Sequence, residues 1–296
     1  MIDRACISLN NNCNLRCRYC HFQDKQHDFT AFGLPELIKI ADNIHVYCTD
    51  NKISAFKLGI VGSGEPMLKK KEIFGLLDHI VSHGYFELKL YTITNGTLLS
   101  KDDILRFRSY GNIINLCFSL DGYEDIHNYG RAKYADVMMR IEWYKEIFKE
   151  APSINATVNK ISCDNKENLV SFFKEHGLFN VTFSKLVGYF EADLYITDAQ
   201  YFEFMEFIKI SGLNSRQFSN EKKYDCTMYG RLCGVGRTNV FITPEGIYPC
   251  GRFYKNNKYL LGAYDSDFDE LETKVALMKP VEDGKCFYIE NVEVRE

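Results

Sequence analysis

Three cysteines near the N-terminus are spaced closely enough to bind a metal together. Cys13, Cys17 and Cys20 lie within eight residues, after an apolar run from Ala5 to Leu9 that predicts a strand. On the loop that leaves such a strand, thiolates at this spacing can converge on one metal centre. Three protein ligands are one fewer than a structural zinc ion or a fully ligated iron–sulfur cluster takes. A cluster on three thiolates would keep one iron open, and an open position is where chemistry happens.

Two alternatives to an open cluster remain. On a helix, positions 13, 17 and 20 would share one face, and the cysteines would then belong to an amphipathic core stripe. The asparagine-rich stretch from Asn10 to Asn14 disfavours that helix. A zinc site completed by His21 or His27 is the stronger alternative.

The spacing C-x3-C-x2-C, with Tyr19 before the last cysteine, resembles the signature of radical S-adenosylmethionine (SAM) enzymes. In that family the three cysteines hold a [4Fe–4S] cluster, and the amino and carboxylate groups of SAM chelate its fourth iron. Cleavage of SAM releases a 5'-deoxyadenosyl radical that abstracts hydrogen. The cofactor carries this chemistry, and the protein binds and orients it.

The loop after the second predicted strand resembles the family's Gly-Gly-Glu motif, which binds the SAM amino group. It reads Gly62-Ser63-Gly64-Glu65-Pro66, so Ser63 stands where the motif has its first glycine. Loops at the carboxyl ends of strands are where α/β folds bind ligands. The resemblance therefore implies that Gly64 and Glu65 contact SAM. A plain glycine turn with a surface glutamate is the alternative.

Three more strand ends carry residues that the resemblance places in the SAM pocket. Ser119-Leu-Asp121-Gly ends the fourth strand, and His127 and Arg131 follow, as in the subgroup that includes peptide maturases and anaerobic sulfatase-maturing enzymes. There the serine and the arginine contact SAM, and the guanidinium fork suits its carboxylate. A turn or N-cap role is the alternative for Asp121, and His127 is expected to be structural. The remaining candidates for the SAM pocket are Thr94 and Asn95 after the third strand and Asn159 after the fifth.

Strands and helices alternate along residues 1–212, which we expect to form one domain. The pattern gives six β-α pairs and predicts a parallel sheet with helices outside it. Six units are fewer than the eight of a closed TIM barrel. The resemblance implies a partial (βα)6 TIM-like barrel, which the pattern alone does not separate from an open doubly wound sheet.

Residues 213–296 are predicted to form a smaller second domain. Val240–Thr243 and Ile247–Tyr248 flank a Thr-Pro-Glu-Gly turn and predict a β-hairpin, with a helix near Leu271–Met278. The hairpin and its cysteines resemble the twitch form of the SPASM extension, which implies an auxiliary [4Fe–4S] cluster. A structural zinc ion on the same ligands is the alternative. The implied ligands are Cys226, Cys233, Cys250 and Cys286.

Composition limits the classes of function. A net charge of −4 over 296 residues gives no basic footprint for nucleic acid, and no apolar run is long enough for a bilayer. No signal-peptide pattern precedes the first strand, so we expect a cytoplasmic protein. In that reducing compartment, eleven cysteines indicate metal ligands or catalytic groups more than disulfides.

The function that these features favour is oxidative modification of a ribosomally synthesised peptide, by crosslinking or dehydrogenation. The auxiliary cluster would accept an electron, and a flavodoxin or ferredoxin would supply the reductant. The chain starts at the first strand, so a separate protein or the barrel itself would recognise the peptide. Dehydrogenation of a small molecule such as an aminocyclitol is one alternative. A non-catalytic zinc or iron–sulfur binding protein is another.

Overall fold

The computed structural model describes residues 1–20, 30–186, 191–213, 234–278 and 286–291. The strands are β1 (Arg4–Ile7), β2 (Phe56–Ile60), β3 (Leu88–Thr94), β4 (Ile114–Ser119), β5 (Ser153–Val158), β6 (Val181–Lys185), β7 (Asn239–Thr243) and β8 (Gly246–Tyr248). The α-helices are α1 (Leu34–Asp50), α2 (Lys70–His83), α3 (Lys101–Ser109), α4 (Glu124–Gly130), α5 (Tyr134–Phe148), α6 (Lys160–Asp164), α7 (Lys166–Glu175), α8 (Asp198–Ser211), α9 (Phe268–Ala276) and α10 (Phe287–Asn291).

The strands form one sheet in the order β6-β5-β4-β3-β2-β1-β7-β8. Strands β1 to β6 lie side by side in chain order, and every neighbouring pair among them is parallel. A doubly wound sheet would reverse its strand order at a switch point, and this order has none. In the described part of the chain the edge strands β6 and β8 do not pair with each other. The predicted partial barrel is therefore confirmed.

Strand β3 shows the two faces of the sheet. Leu88 and Leu90 are buried in the core beneath the helices, and the intervening Lys89, Tyr91 and Ile93 point to the opposite face. Because side chains alternate along a strand, the register extends this second face across the sheet. We call it the inner face.

The helices begin where the sequence supplies caps. Ser100 and Asp103 form a reciprocal capping box at α3, and Thr197 and Gln200 form another at α8. Boundaries differ from the sequence prediction by a few residues at most. The pattern missed α4, α6 and α10, because helices of five to seven residues are too short to show a 3.6-residue period.

The predicted hairpin is present as β7 and β8, and it extends the barrel sheet. Strand β7 pairs in parallel with β1, which places Phe241 beside Cys6. Helix α9 packs against α1, where the rings of Phe268 and Tyr47 lie 5.6 Å apart. The domain boundary after residue 212 stays a prediction. Among the described residues, no helix is long and apolar enough to cross a membrane.

Candidate active site

The three N-terminal cysteines belong to the loop that follows β1, and they line one cavity of about 360 Å³. Cys17 is buried, and Cys13 and Cys20 are half-buried. Burial raises the pKa of Cys13, and it raises the pKa of Cys17 to about 11. A metal takes the thiolate form, so binding a metal here must displace protons from these thiols.

The asparagine run fixes the cysteine loop against the loop that follows β2. The side-chain amide of Asn10 donates to the carbonyl of Glu65 (3.2 Å), and the N–H of Glu65 donates to the carbonyl of Asn12 (2.7 Å). A Cβ added at Gly64 would lie 2.5 Å from the carbonyl oxygens of Asn10 and Asn12. The two backbones are therefore in direct contact, and only glycine fits at that position.

Ser63 stands where the family motif has a glycine, and the loop after β2 still contacts the cysteine loop there. Its hydroxyl donates to the side chain of Asn11 and lies 3.0 Å from the hydroxyl of Ser8. Asn11 in turn donates to the hydroxyl of Tyr254, which follows the hairpin (2.9 Å). The serine thus ties the loop after β2 to the cysteine loop and, through Asn11, to the C-terminal region.

Glu65 lines the cavity and is only 3% exposed. Its carboxylate accepts hydrogen bonds from the hydroxyl of Thr94, from the N–H of Met67 (3.0 Å) and from the N–H of Asn95 (2.9 Å). Burial raises the pKa of Glu65, while these hydrogen bonds and the positive charge of Arg131 oppose the rise. A carboxylate has about four acceptor sites, so one remains for a donor in the cavity, such as an ammonium group.

The Thr-Asn-Gly turn after β3 hydrogen-bonds both to the cysteine loop and to Glu65. Asn95 lines the cavity, and its amide nitrogen donates to the side chain of Asn14 (2.9 Å), which lies between the first two cysteines. Asn14 also donates to the hydroxyl of Thr97 (2.7 Å). Thr94 is not among the residues that line the cavity, and its part is to orient Glu65.

Asp121 joins Tyr19, Arg131 and β5 behind the cavity. Its buried carboxylate accepts from the hydroxyl of Tyr19, from the Nε of Arg131 (3.1 and 3.2 Å) and from the N–H of Thr157 (2.9 Å). The guanidinium of Arg131 lies 5.3 Å from the centre of the Tyr19 ring and lines the cavity, as does Ser119. The carboxylate of Asp121 thus orients the arginine and the cysteine loop, and Asp121 itself does not line the cavity.

His127 supports the backbone that carries Arg131. One ring nitrogen accepts from the N–H of Asp121 (3.3 Å), and the other lies 3.1 Å from the carbonyl of Ala132. Ala132 has a φ of +111°, which is costly for a residue with a side chain. Burial lowers the pKa of His127, so the ring is neutral and its contacts are structural.

Five polar lining residues lie outside the sequence motifs and were not predicted as site residues. Polar residues alternate with apolar ones along β5, and this alternation was the available signal for Asn155 and Thr157. Arg252 lies beyond the hairpin, and no local pattern connects it with the cavity. The other two are Ser184 and Lys185 of β6.

Asn159 was predicted in the SAM pocket but does not line the cavity. It is buried, and its side chain caps α6 by accepting from the N–H of Ser162 (3.2 Å). Its amide nitrogen has no hydrogen-bond partner among the described residues. That nitrogen is a buried donor left for a group that the described residues do not supply.

The predicted auxiliary ligands are described only in part, since Cys226 and Cys233 lie outside the described residues. Cys250 packs against an aromatic cluster that contains Phe253 and Phe287, and Cys286 directly precedes that second phenylalanine. The four-cysteine site therefore remains a prediction.

The donor set of the N-terminal loop fits a cluster. Within the described ranges, no group of three or more His, Cys, Asp or Glu side chains is placed to hold a single metal ion. One zinc ion requires thiolates that converge on a point about 2.3 Å from each sulfur. In a cubane each thiolate binds a different iron, so the sulfurs stay apart. The predicted zinc partners His21 and His27 lie outside the described residues.

The family model of the radical SAM superfamily matches residues 7–171, which is more than half of the chain. The chain belongs to the radical SAM superfamily, whose members use a [4Fe–4S] cluster and SAM. A probable GTP 3',8-cyclase from Methanocaldococcus jannaschii is 33% identical over 93 residues. An uncharacterised protein from Archaeoglobus fulgidus is 24% identical over 274 residues. These matches cover 31% and 85% of this chain but only 28% and 62% of the relatives.

Two groups of solved structures share the fold at low sequence identity. Native anSMEcpe with bound AdoMet and Kp18Cys peptide matches with a TM-score of 0.73 and 18% identity, over 92% of this chain and 82% of that one. Streptococcus suis SuiB bound to precursor peptide SuiA matches with a TM-score of 0.70 and 18% identity, over 94% and 67%. At this sequence identity the structural similarity shows the fold alone.

Proposed function

We propose that this chain cleaves SAM reductively in the described cavity and uses the resulting radical to modify a ribosomally synthesised peptide oxidatively. The observation that carries the proposal is the cavity itself, where three thiols meet Glu65 and Arg131. The peptide substrate is supported by two similar structures, one with bound Kp18Cys peptide and one with bound precursor peptide SuiA.

Each side chain has a defined part in holding the cofactors. The three loop cysteines would hold the [4Fe–4S] cluster, and the bound cluster and SAM supply the radical that abstracts hydrogen. Glu65 offers its remaining acceptor site to the SAM ammonium group. Arg131 offers its guanidinium to the SAM carboxylate while its Nε stays on Asp121. Ser119 and Asn95 add a hydroxyl and an amide to the same wall.

The β5 and β6 side of the cavity is the proposed place for the peptide. Asn155, Thr157 and Ser184 present amide and hydroxyl groups there, which can bond a peptide backbone in either direction. Arg252 brings a cation from the C-terminal region to the same cavity. Recognition of the rest of the peptide is assigned to a separate protein or to the barrel surface.

The auxiliary cluster is proposed as the acceptor of one electron. Hydrogen abstraction leaves a substrate radical, and a closed-shell dehydrogenated or crosslinked product requires the loss of one more electron and one proton. A cluster on Cys226, Cys233, Cys250 and Cys286 would take that electron, with its potential set by burial and by hydrogen bonds to the thiolates. A flavodoxin or ferredoxin in the cytoplasm would supply the electron that cleaves SAM.

The test begins with protein reconstituted anaerobically and given SAM, a reductant and peptides encoded beside its gene. We expect 5'-deoxyadenosine to form and the peptide to lose two hydrogens by mass spectrometry. Transfer of deuterium from a labelled peptide to 5'-deoxyadenosine would identify the abstracted hydrogen. If only a small molecule passes its deuterium, the peptide assignment is wrong.

A cysteine variant tests the auxiliary cluster separately. Cys250→Ala should keep reductive SAM cleavage yet form little oxidised product. Cys163→Ala is the matched control, because that half-buried thiol is a free cysteine of a barrel helix. Product formation by the Cys250 variant at the wild-type rate, with one cluster missing, would make that centre structural.

A further inference from the structure

Three cations lie side by side on the inner face, at the ends of the strands remote from the cysteine loop. The register pairs Arg4 of β1 with Lys57 of β2, and Lys57 with Lys89 of β3. Neighbouring strands are about 4.8 Å apart, so the row spans about 10 Å. Lys89 precedes the cavity residue Ile93 by four residues on the same strand face, which separates the row from the cavity by about 13 Å.

Arg4 and the two lysines of this row differ in their partners. Arg4 is 16% exposed, and its Nε lies 3.2 Å from the carboxylate of Asp3. No described residue forms an ion pair or a side-chain hydrogen bond with the ammonium of Lys57 or of Lys89. Like charges directly opposite each other on adjacent strands destabilise a sheet. Lys57 and Lys89, which lie opposite each other in the register, gain stability from an anion bound between them.

A buried amide extends the row on the side of β7. Asn239 pairs with Arg4 in the register, and the residue is only 9% exposed. Its side-chain oxygen has no hydrogen-bond partner among the described residues. Buried amide groups are rarely left without partners. Rotated about its terminal bond, this amide offers its nitrogen to an anion that the neighbouring cations hold.

The row is separated from the SAM cavity by Tyr91. A Cβ at Gly59 would lie 2.6 Å from the Tyr91 ring and hydroxyl, so the hydroxyl end of the ring contacts β2 at that glycine. Its hydroxyl reaches the thiol of Cys6 on β1 (3.4 Å). The row of basic residues is therefore separate from the proposed SAM and peptide site.

We propose that this row binds a phosphate-bearing ligand. Lys57 and Lys89, beside Arg4, call for more negative charge than one carboxylate carries, and a phosphate group carries about −1.5 to −2 at neutral pH. Lysine is a common phosphate ligand as a point charge, and arginine adds paired donors. The inference does not depend on the peptide substrate.

The test uses inorganic pyrophosphate and the anaerobic protein with its clusters, at constant ionic strength. Pyrophosphate should raise the melting temperature of the wild-type protein in a saturable way, because a ligand that binds only the folded state stabilises it. Lys57→Gln and Lys89→Gln should each weaken the apparent affinity about tenfold or more. Lys71→Gln, which removes an exposed lysine from α2, should bind like the wild type.

A second readout needs no ligand. Without pyrophosphate, Lys57→Gln should melt above the wild-type protein, because one of the opposed like charges is gone. A lower melting temperature would show that the row is already neutralised and would overturn the proposal. The proposal also fails if pyrophosphate does not bind, if Lys71→Gln weakens its binding equally, or if hexaglutamate binds as well as pyrophosphate.

Discussion

Replacing Asp121 by Asn should both destabilise the protein and weaken SAM binding. The carboxylate of Asp121 is fully buried and the guanidinium of Arg131 is 13% exposed. Asn at position 121 keeps the shape of the side chain but removes the charge that faces the guanidinium. Because Arg131 would then have lost its counter-charge, its direction in the cavity would no longer be fixed.

The size of the effect follows from the burial of the pair. Removing one partner of a buried ion pair costs about 3–5 kcal/mol, because the other charge is left uncompensated. The slight exposure of Arg131 places the expected loss near 3 kcal/mol. SAM affinity should fall about tenfold or more, since a charged hydrogen bond contributes about 1.5–3 kcal/mol.

A double-mutant cycle separates this pairing from general damage. Asp121→Asn, Arg131→Met and the double variant are unfolded in urea under anaerobic conditions, with fluorescence of the single tryptophan, Trp143, as the signal. The double variant should be more stable than the sum of the two losses predicts, by about 1–3 kcal/mol. Asp136→Asn is the matched control, because Asp136 is 40% exposed and its pair with Arg140 therefore contributes about 1 kcal/mol or less.

Asp121 and Arg131 do not stabilise each other if the losses of the two single variants add to within about 0.5 kcal/mol, as they do for independent sites. The role of this pair in SAM binding is refuted if Asp121→Asn keeps wild-type SAM affinity. In that case Arg131 would not depend on the carboxylate for its orientation.

Three further predictions concern the loops around the cavity. Replacing all three loop cysteines by alanine should remove one cluster, measured by iron analysis, and abolish 5'-deoxyadenosine formation. Gly64→Ala should lower cluster occupancy and cost about 1–3 kcal/mol, because the methyl group meets backbone at 2.5 Å. Gly33→Ala should have little effect, since its methyl meets chiefly the movable side chain of the neighbouring glutamate. The lowered pKa of His127 means that the unfolded chain binds a proton that the folded chain resists. Stability should therefore fall as the pH drops below about 6.5, and His127→Asn should flatten that part of a pH–melting curve.

The secondary-structure units and most of the cavity motifs could be predicted from short stretches of the sequence. Alternating strand and helix periods indicated the six units, since these periods depend on nearby residues alone. The cysteine spacing, the glycine turn that carries Glu65 and the arginine that ends the Ser-Leu-Asp-Gly segment could be read in the same way. The structure brings those residues to one cavity because the carboxyl ends of neighbouring parallel strands meet at one edge of the sheet.

Contacts between residues far apart in the sequence follow only from the strand order and register of the folded sheet. Tyr19 and Asp121 are 102 positions apart, and only the packing of β1 and β4 in one sheet brings them into contact. The resemblance placed Asp121 in the SAM pocket, and the structure shows its carboxylate bonded to neighbours from three other segments. The pairing of β7 with β1 is equally nonlocal, and so is the row of cations on β1, β2 and β3. Each depends on which strands become neighbours, and no short stretch of sequence carries that information.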